Sequence, residues 1–109
     1  MPTIYKTLGQ AAPAATTSTD LYTVPASTSA IVSSVVIANR AATAATFRLS
    51  QSLVGAALAN KDYLAYDVTI QGNSFITLTL GITMATTDKL RVYASSANLS
   101  FNAYGTELS

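Results

Sequence analysis

The stretch Phe75-Ile76-Thr77-Leu78-Thr79-Leu80-Gly81-Ile82 decides the fold class. Ile76, Leu78, Leu80 and Ile82 recur at every second position, with Thr77, Thr79 and Gly81 between them. A helix would scatter the four aliphatic side chains around its circumference, whereas a strand lines them up on one face. Downstream the same period returns. Leu90, Val92 and Ala94 alternate with Lys89, Arg91 and Tyr93, and Leu99, Phe101 and Ala103 alternate with Asn98, Ser100 and Asn102. Upstream, Leu64, Tyr66, Val68 and Ile70 form an apolar row opposite Tyr63, Asp67 and Thr69. The segment Ala30 to Ala38 is apolar on both faces, as expected of a central strand or of one whose outer face meets a neighbouring subunit. Shorter strands are predicted at Thr3 to Leu8, Asp20 to Val24 and Thr46 to Ser50.

Turn chemistry separates these runs. Gly9-Gln10 with Pro13, Pro25 to Ser29, Asn39-Arg40, Gln71-Gly72-Asn73 and Thr86-Thr87-Asp88 supply residues suited to turns or to left-handed backbone angles. Leu53 to Asn60 has some helical propensity, but Gly55 and its short length favour a loop or irregular edge. The expected fold is an all-β single β-sandwich of about eight short antiparallel strands, immunoglobulin-like or jelly-roll-like. One domain spans residues 1–109, with 1–19 as a candidate extended N-terminal arm. Its Ala/Thr-rich part, Ala11 to Thr19, would order on a neighbour.

Composition narrows the function. Of 109 residues, 50% are hydrophobic and only 10% charged, with a net charge of +1. An average soluble protein carries roughly 25% charged residues. Many apolar groups with few charges argue for a folded chain, part of whose surface another protein covers. The basic residues stand singly, so no phosphate-binding patch is expected and nucleic acid is not an expected partner. No basic amphipathic stretch points to a membrane. The opening residues lack the apolar core of a secretory signal.

Histidine and cysteine are absent, which removes the commonest general base, the strongest nucleophile and the usual zinc ligands. The carboxylates Asp20, Asp62, Asp67, Asp88 and Glu107 show no spacing of a catalytic pair, and most flank strands as solvated turn charges do. Enzymatic activity and a cofactor are not expected. Asn60, Asp62 and Asp67 are the nearest approach to a calcium site, but in one continuous strand Asp62 and Asp67 would face opposite sides. No metal is therefore expected. Tyr22, Tyr63, Tyr93 and Tyr104 could form a sugar-stacking platform, although core edges and subunit interfaces also enrich tyrosine. Arg40, Arg48 and Arg91 are candidates for pairing with carboxylates across a subunit boundary. The candidate interface residues are Val32, Val36, Arg40, Arg91 and Tyr93.

The opening YKTLGQAAPAATTSTDLYTVPAS, the middle NRAATAATFRLS, the segment YLAYDV and the tail TDKLRVYASSANLSFNAYGTELS resemble a family of small structural or tail-associated virion proteins of tailed bacteriophages, including cyanophages and marine phages. The resemblance runs from Tyr5 to Ser109 and rests on strand-and-turn text. It implies a β-sandwich particle component present in many copies, with copies of itself and other virion proteins as partners, and a host-surface glycan as a further candidate. It carries no binding residue over. The expected function is a non-enzymatic virion subunit on the tail, baseplate, neck or fibre, made in the host cytoplasm and located in the virion. The alternatives are a capsid decoration protein, or a monomeric carbohydrate-binding or pilus-type module.

Overall fold

The computed structural model of the chain describes residues 3–109. Eight strands follow one another: β1 Thr3–Ala11, β2 Thr19–Thr23, β3 Ser29–Asn39, β4 Ala45–Ser52, β5 Tyr63–Ile70, β6 Phe75–Met84, β7 Lys89–Ala94 and β8 Leu99–Leu108. Two short 3-10 turns, Leu53–Gly55 and Asn60–Asp62, fill the connection between β4 and β5. The strands form two four-stranded sheets, one in the order β1-β8-β3-β6 and the other β2-β7-β4-β5. Every pairing is antiparallel. The first strand pairs with the last, the second with the seventh, the third with the sixth and the fourth with the fifth.

That pattern is one long hairpin with its tip between β4 and β5, rolled up so that its arms alternate between the sheets. It is the jelly-roll order. An immunoglobulin-like sandwich would instead place β1 beside β2, and here those strands belong to different sheets.

The core lies between the sheets. Phe47 and Phe101 meet edge to face with ring centroids 6.2 Å apart, and Ile37, Leu49, Ile70, Met84, Leu90 and Leu99 are fully buried around them. An edge-to-face aromatic pair adds about 1 kcal/mol to the burial of its two rings. Along β6, β7 and β8 the predicted inward rows are the observed ones. Two strands depart from simple alternation. In β5, Leu64 and Tyr66 are exposed, while Ala65, Val68 and Ile70 turn inward. Asp67 sits at φ 51 and the register with β4 shifts on both sides of Leu49. These bulges break the apolar row expected over Leu64, Tyr66, Val68 and Ile70, because each extra residue reverses the facing of what precedes it. In β3 the register with both neighbours shifts between Val32 and Ser34. Val32 and Val35 therefore both point inward, three positions apart.

Two buried polar residues close the ends of the sandwich. Asn39 Nδ2 donates to the carbonyls of Thr43, Ile70 and Gln71, and its Oδ1 accepts from the Ala41 amide. At the other end, Asp88 Oδ1 accepts from the Val54 amide and Oδ2 from the Ala85 amide, each at 2.9 Å. Both side chains satisfy backbone groups of turns that would otherwise be left unpaired.

The extended arm expected over residues 1–19 takes a different form. Residues 1 and 2 lie outside the described residues, and Thr3–Ala11 is a strand of the first sheet. Residues 12–18 carry the chain across to the second sheet, with Pro13 buried and the Thr16 amide donating to the Ala94 carbonyl at 2.8 Å. The segment packs on its own subunit.

Candidate interaction surfaces

The two outer faces of the sandwich differ in chemistry. Alternation with the buried residues of each strand and pairing with one another assign the outward positions of the first sheet: Tyr5 and Thr7 on β1, Asn102, Tyr104 and Thr106 on β8, Ile31, Ser34 and Val36 on β3, and Phe75, Thr77 and Thr79 on β6. None of the outward strand positions of this sheet carries a charge. Tyr5 is 83% exposed and Phe75 66% exposed, with Ile31 and Tyr104 partly so. Arg40, one residue beyond β3, borders the face at one end. Its guanidinium donates to Ser100 Oγ and the Ala97 carbonyl.

The outer face of the second sheet carries Asp20, Arg48, Asp67, Lys89 and Arg91. Asp20 accepts from Lys89 at 2.7 Å and from Arg91 at 3.0 Å. The bond from Lys89, assisted by Arg91, holds the Asp20 carboxyl below the usual carboxylate range against the opposing effect of burial. Arg91 also donates to Ser52 Oγ and the Ala56 carbonyl, tying the β4–β5 connection to the sheet. Arg48 donates to Asp67 at 2.7 Å, and this bond pushes its guanidinium pKa further up. The same guanidinium lies between two rings, 4.2 Å from the centroid of Tyr66 and 4.3 Å from that of Tyr93. Tyr63 meets Tyr66 edge to face at 4.8 Å.

No protein-family model matches the chain, and no curated protein matches it.

The candidate residues therefore stand on their geometry. Val32 is 0% exposed in the core, so its expected place at an interface is corrected: the bulge in β3 turns it inward. Val36 is half-buried on the uncharged face. Within the subunit Arg48 pairs with Asp67 and Arg91 with Asp20, while Arg40 meets only the Ser100 hydroxyl and the Ala97 carbonyl. Tyr93 is engaged by Arg48 on the charged face. Nor do the four tyrosines of the expected sugar platform converge. Tyr22 is buried with its hydroxyl on Glu107, its pKa raised by burial first and by that carboxylate second. Tyr104 belongs to the first sheet, and Tyr63 and Tyr93 to the second. Asp62 accepts from the Ala59 amide while Asp67 holds Arg48, so they serve separate structures. Among the described residues, no group of three or more acidic side chains is placed to hold a metal ion. The array of Tyr66 with Arg48 escaped the sequence reading because the β5 bulge brings it out. Asp67, flanked by two large residues in a strand, was its only trace.

Arg91→Ala is expected to lower stability by about 1.5 kcal/mol, since it strips the buried Ser52 hydroxyl of a donor and frees the Ala56 carbonyl. A shift in urea midpoint with an unchanged slope checks this. Asp20 adds an acid limb. A carboxyl whose pKa is lowered on folding stabilises above its unfolded value of about 3.9 and loses that contribution as pH falls through the folded value. Because Asp20 is largely exposed, the loss is expected below about 1 kcal/mol. Asp20→Asn should flatten that part of the stability–pH curve, and an unchanged acid limb would show that other carboxyls govern it.

Proposed function

We propose that this chain is a non-enzymatic structural subunit of a tailed-phage particle, acting in many copies on the tail, baseplate, neck or a fibre. The observation that supports the reading most is the uncharged outer face of the first sheet, with Tyr5, Ile31, Phe75 and Tyr104 exposed on it. Subunits of a symmetric assembly meet through surfaces that must tolerate their own copies. A face of hydroxyls, amides and scattered apolar side chains does so without opposing like charges. The jelly roll adds support by analogy of fold alone, since capsid and lectin domains also use it.

The test is quantitative mass spectrometry of purified particles of the phage that encodes the chain. Multiple copies per particle, in fixed ratio to a tail protein, are expected. Absence from the particles would overturn the reading. A ratio fixed to the major shell protein would move the subunit to the capsid, as a decoration protein.

A further inference from the structure

The two sheets end in four edge strands, β1 and β6 in one and β2 and β5 in the other. Open edges present rows of unpaired amides and carbonyls, and folded proteins blunt them with charges, bulges or shortness. Three of the four are blunted in this way. β1 carries Lys6 and a register shift between Thr7 and Gly9. β2 is five residues long, carries Asp20 and shifts register beside it. β5 is shifted twice and carries Asp67 in a left-handed conformation. β6 differs. Its ten residues include neither charge nor proline, and its in–out alternation runs unbroken past the register shift it shares with β3. Gln51 Nε2 donates to the Thr83 carbonyl near one end, so the stretch Phe75 to Ile82 is the open part.

We propose that this edge pairs with β6 of a second copy, antiparallel about a two-fold axis at Leu78, joining the two first sheets into one of eight strands. The inference rests on the multi-copy reading above and names one of its contacts. An axis at Leu78 sets Thr77 opposite Thr79 of the other copy, Ile76 opposite Leu80, and Phe75 opposite Gly81. Each pairing is chemically apt. Ile76, Leu78 and Leu80 pack against the core yet remain half-exposed at the seam, and the same residues of a second copy would cover them. Threonines facing across a ladder are a favourable pair. A Cβ added at Gly81 would meet nothing within 4 Å, and the exposed Phe75 ring of the other copy fits over that space, as aromatics cover edge glycines. Registers displaced by one residue would turn the outer face of one copy onto the inner face of the other, so only even displacements compete.

The experiment is light scattering on the full chain across a concentration series. The wild type is expected to approach twice the mass of one chain. In Thr77→Lys/Thr79→Lys, two like-charged pairs would face each other across the axis, and the mass is expected to stay at one chain. The matching Thr77→Glu/Thr79→Glu variant should behave the same way. Mixing the two should restore the doubled mass. All four substitutions fall at exposed positions, and circular dichroism with a thermal melt verifies the fold of each variant. Three results would overturn the proposal: a wild type at one chain's mass throughout, a Lys variant that keeps the wild-type mass, or a mixture that stays at one chain. Any of them leaves the multi-copy reading to the particle count, which fails separately if particles lack the protein.

Discussion

Asp88→Ala is expected to lower the stability of the fold by about 3 kcal/mol and its Tm by roughly 15 °C. Asp88 is 4% exposed and its carboxylate joins two segments far apart in sequence. One oxygen takes the amide of Val54, in the connection between β4 and β5, and the other that of Ala85, in the turn before β7. The backbone of the same residue completes the junction, its carbonyl accepting from Val24 and its amide donating to Ala85. Removing the side chain leaves two amides without their acceptor at a part-buried junction, and each then carries a desolvation cost. Asp88→Asn keeps one acceptor oxygen and should lose about half as much. A calorimetric melt of both variants checks the order. Equal melting for Ala and wild type would show that the two amides find other partners.

Gly105→Ala is expected to cost about 3 kcal/mol, near the upper end for overpacking. The reason is the bulge in β3. Val32 pairs with Gly105 and Ser34 with Tyr104, so Ser33 is extra and pushes the β3 backbone toward β8. A Cβ on Gly105 would stand 2.0 Å from the Ile31 carbonyl oxygen and 3.0 Å from the Val32 Cα. Both are backbone atoms of a central strand, so no rotamer change relieves the overlap. Gly81→Ala is the control: it has open space and is expected to gain about 0.5 kcal/mol through the entropy of the unfolded chain. The pair, measured by urea unfolding at low protein concentration, separates close backbone approach from loss of glycine as such.

These two residues also mark where sequence reading stops. The rows of β6, β7 and β8 were legible because each strand keeps its period from end to end, and one buried face imposes that period on the text. The rows of β3 and β5 were not. Ser33 and Asp67 are ordinary polar residues in apolar surroundings, and nothing local announces that each occupies an extra place in a ladder. Hence Val32 read as a surface residue beside Val36, although the bulge puts them on opposite faces. Strand order was illegible for a related reason. Pairing of β1 with β8 joins segments about a hundred residues apart, and no short-range signal encodes it. Asp88 and Asn39 look like any turn residues until the segments they join are brought together. The uncharged face is of the same kind: each threonine and serine was visible, but their gathering on one sheet depends on the pairing.

The place of β8 has a consequence for how the protein is made. The last of the eight strands in sequence, Leu99–Leu108, does not close an edge; it lies between β1 and β3, in the middle of its sheet. Until it emerges, β1 has no neighbour in that sheet and β3 has only β6. The nascent chain must hold nearly a hundred residues of apolar, threonine-rich strand without its central support, and so cannot fold progressively from the N-terminus. Such long-range closure is slow, and it exposes unpaired strands while it waits. Products that stop short of β8 should therefore aggregate rather than persist as partial domains. Emergence of β8 becomes the event that commits the first sheet to its structure.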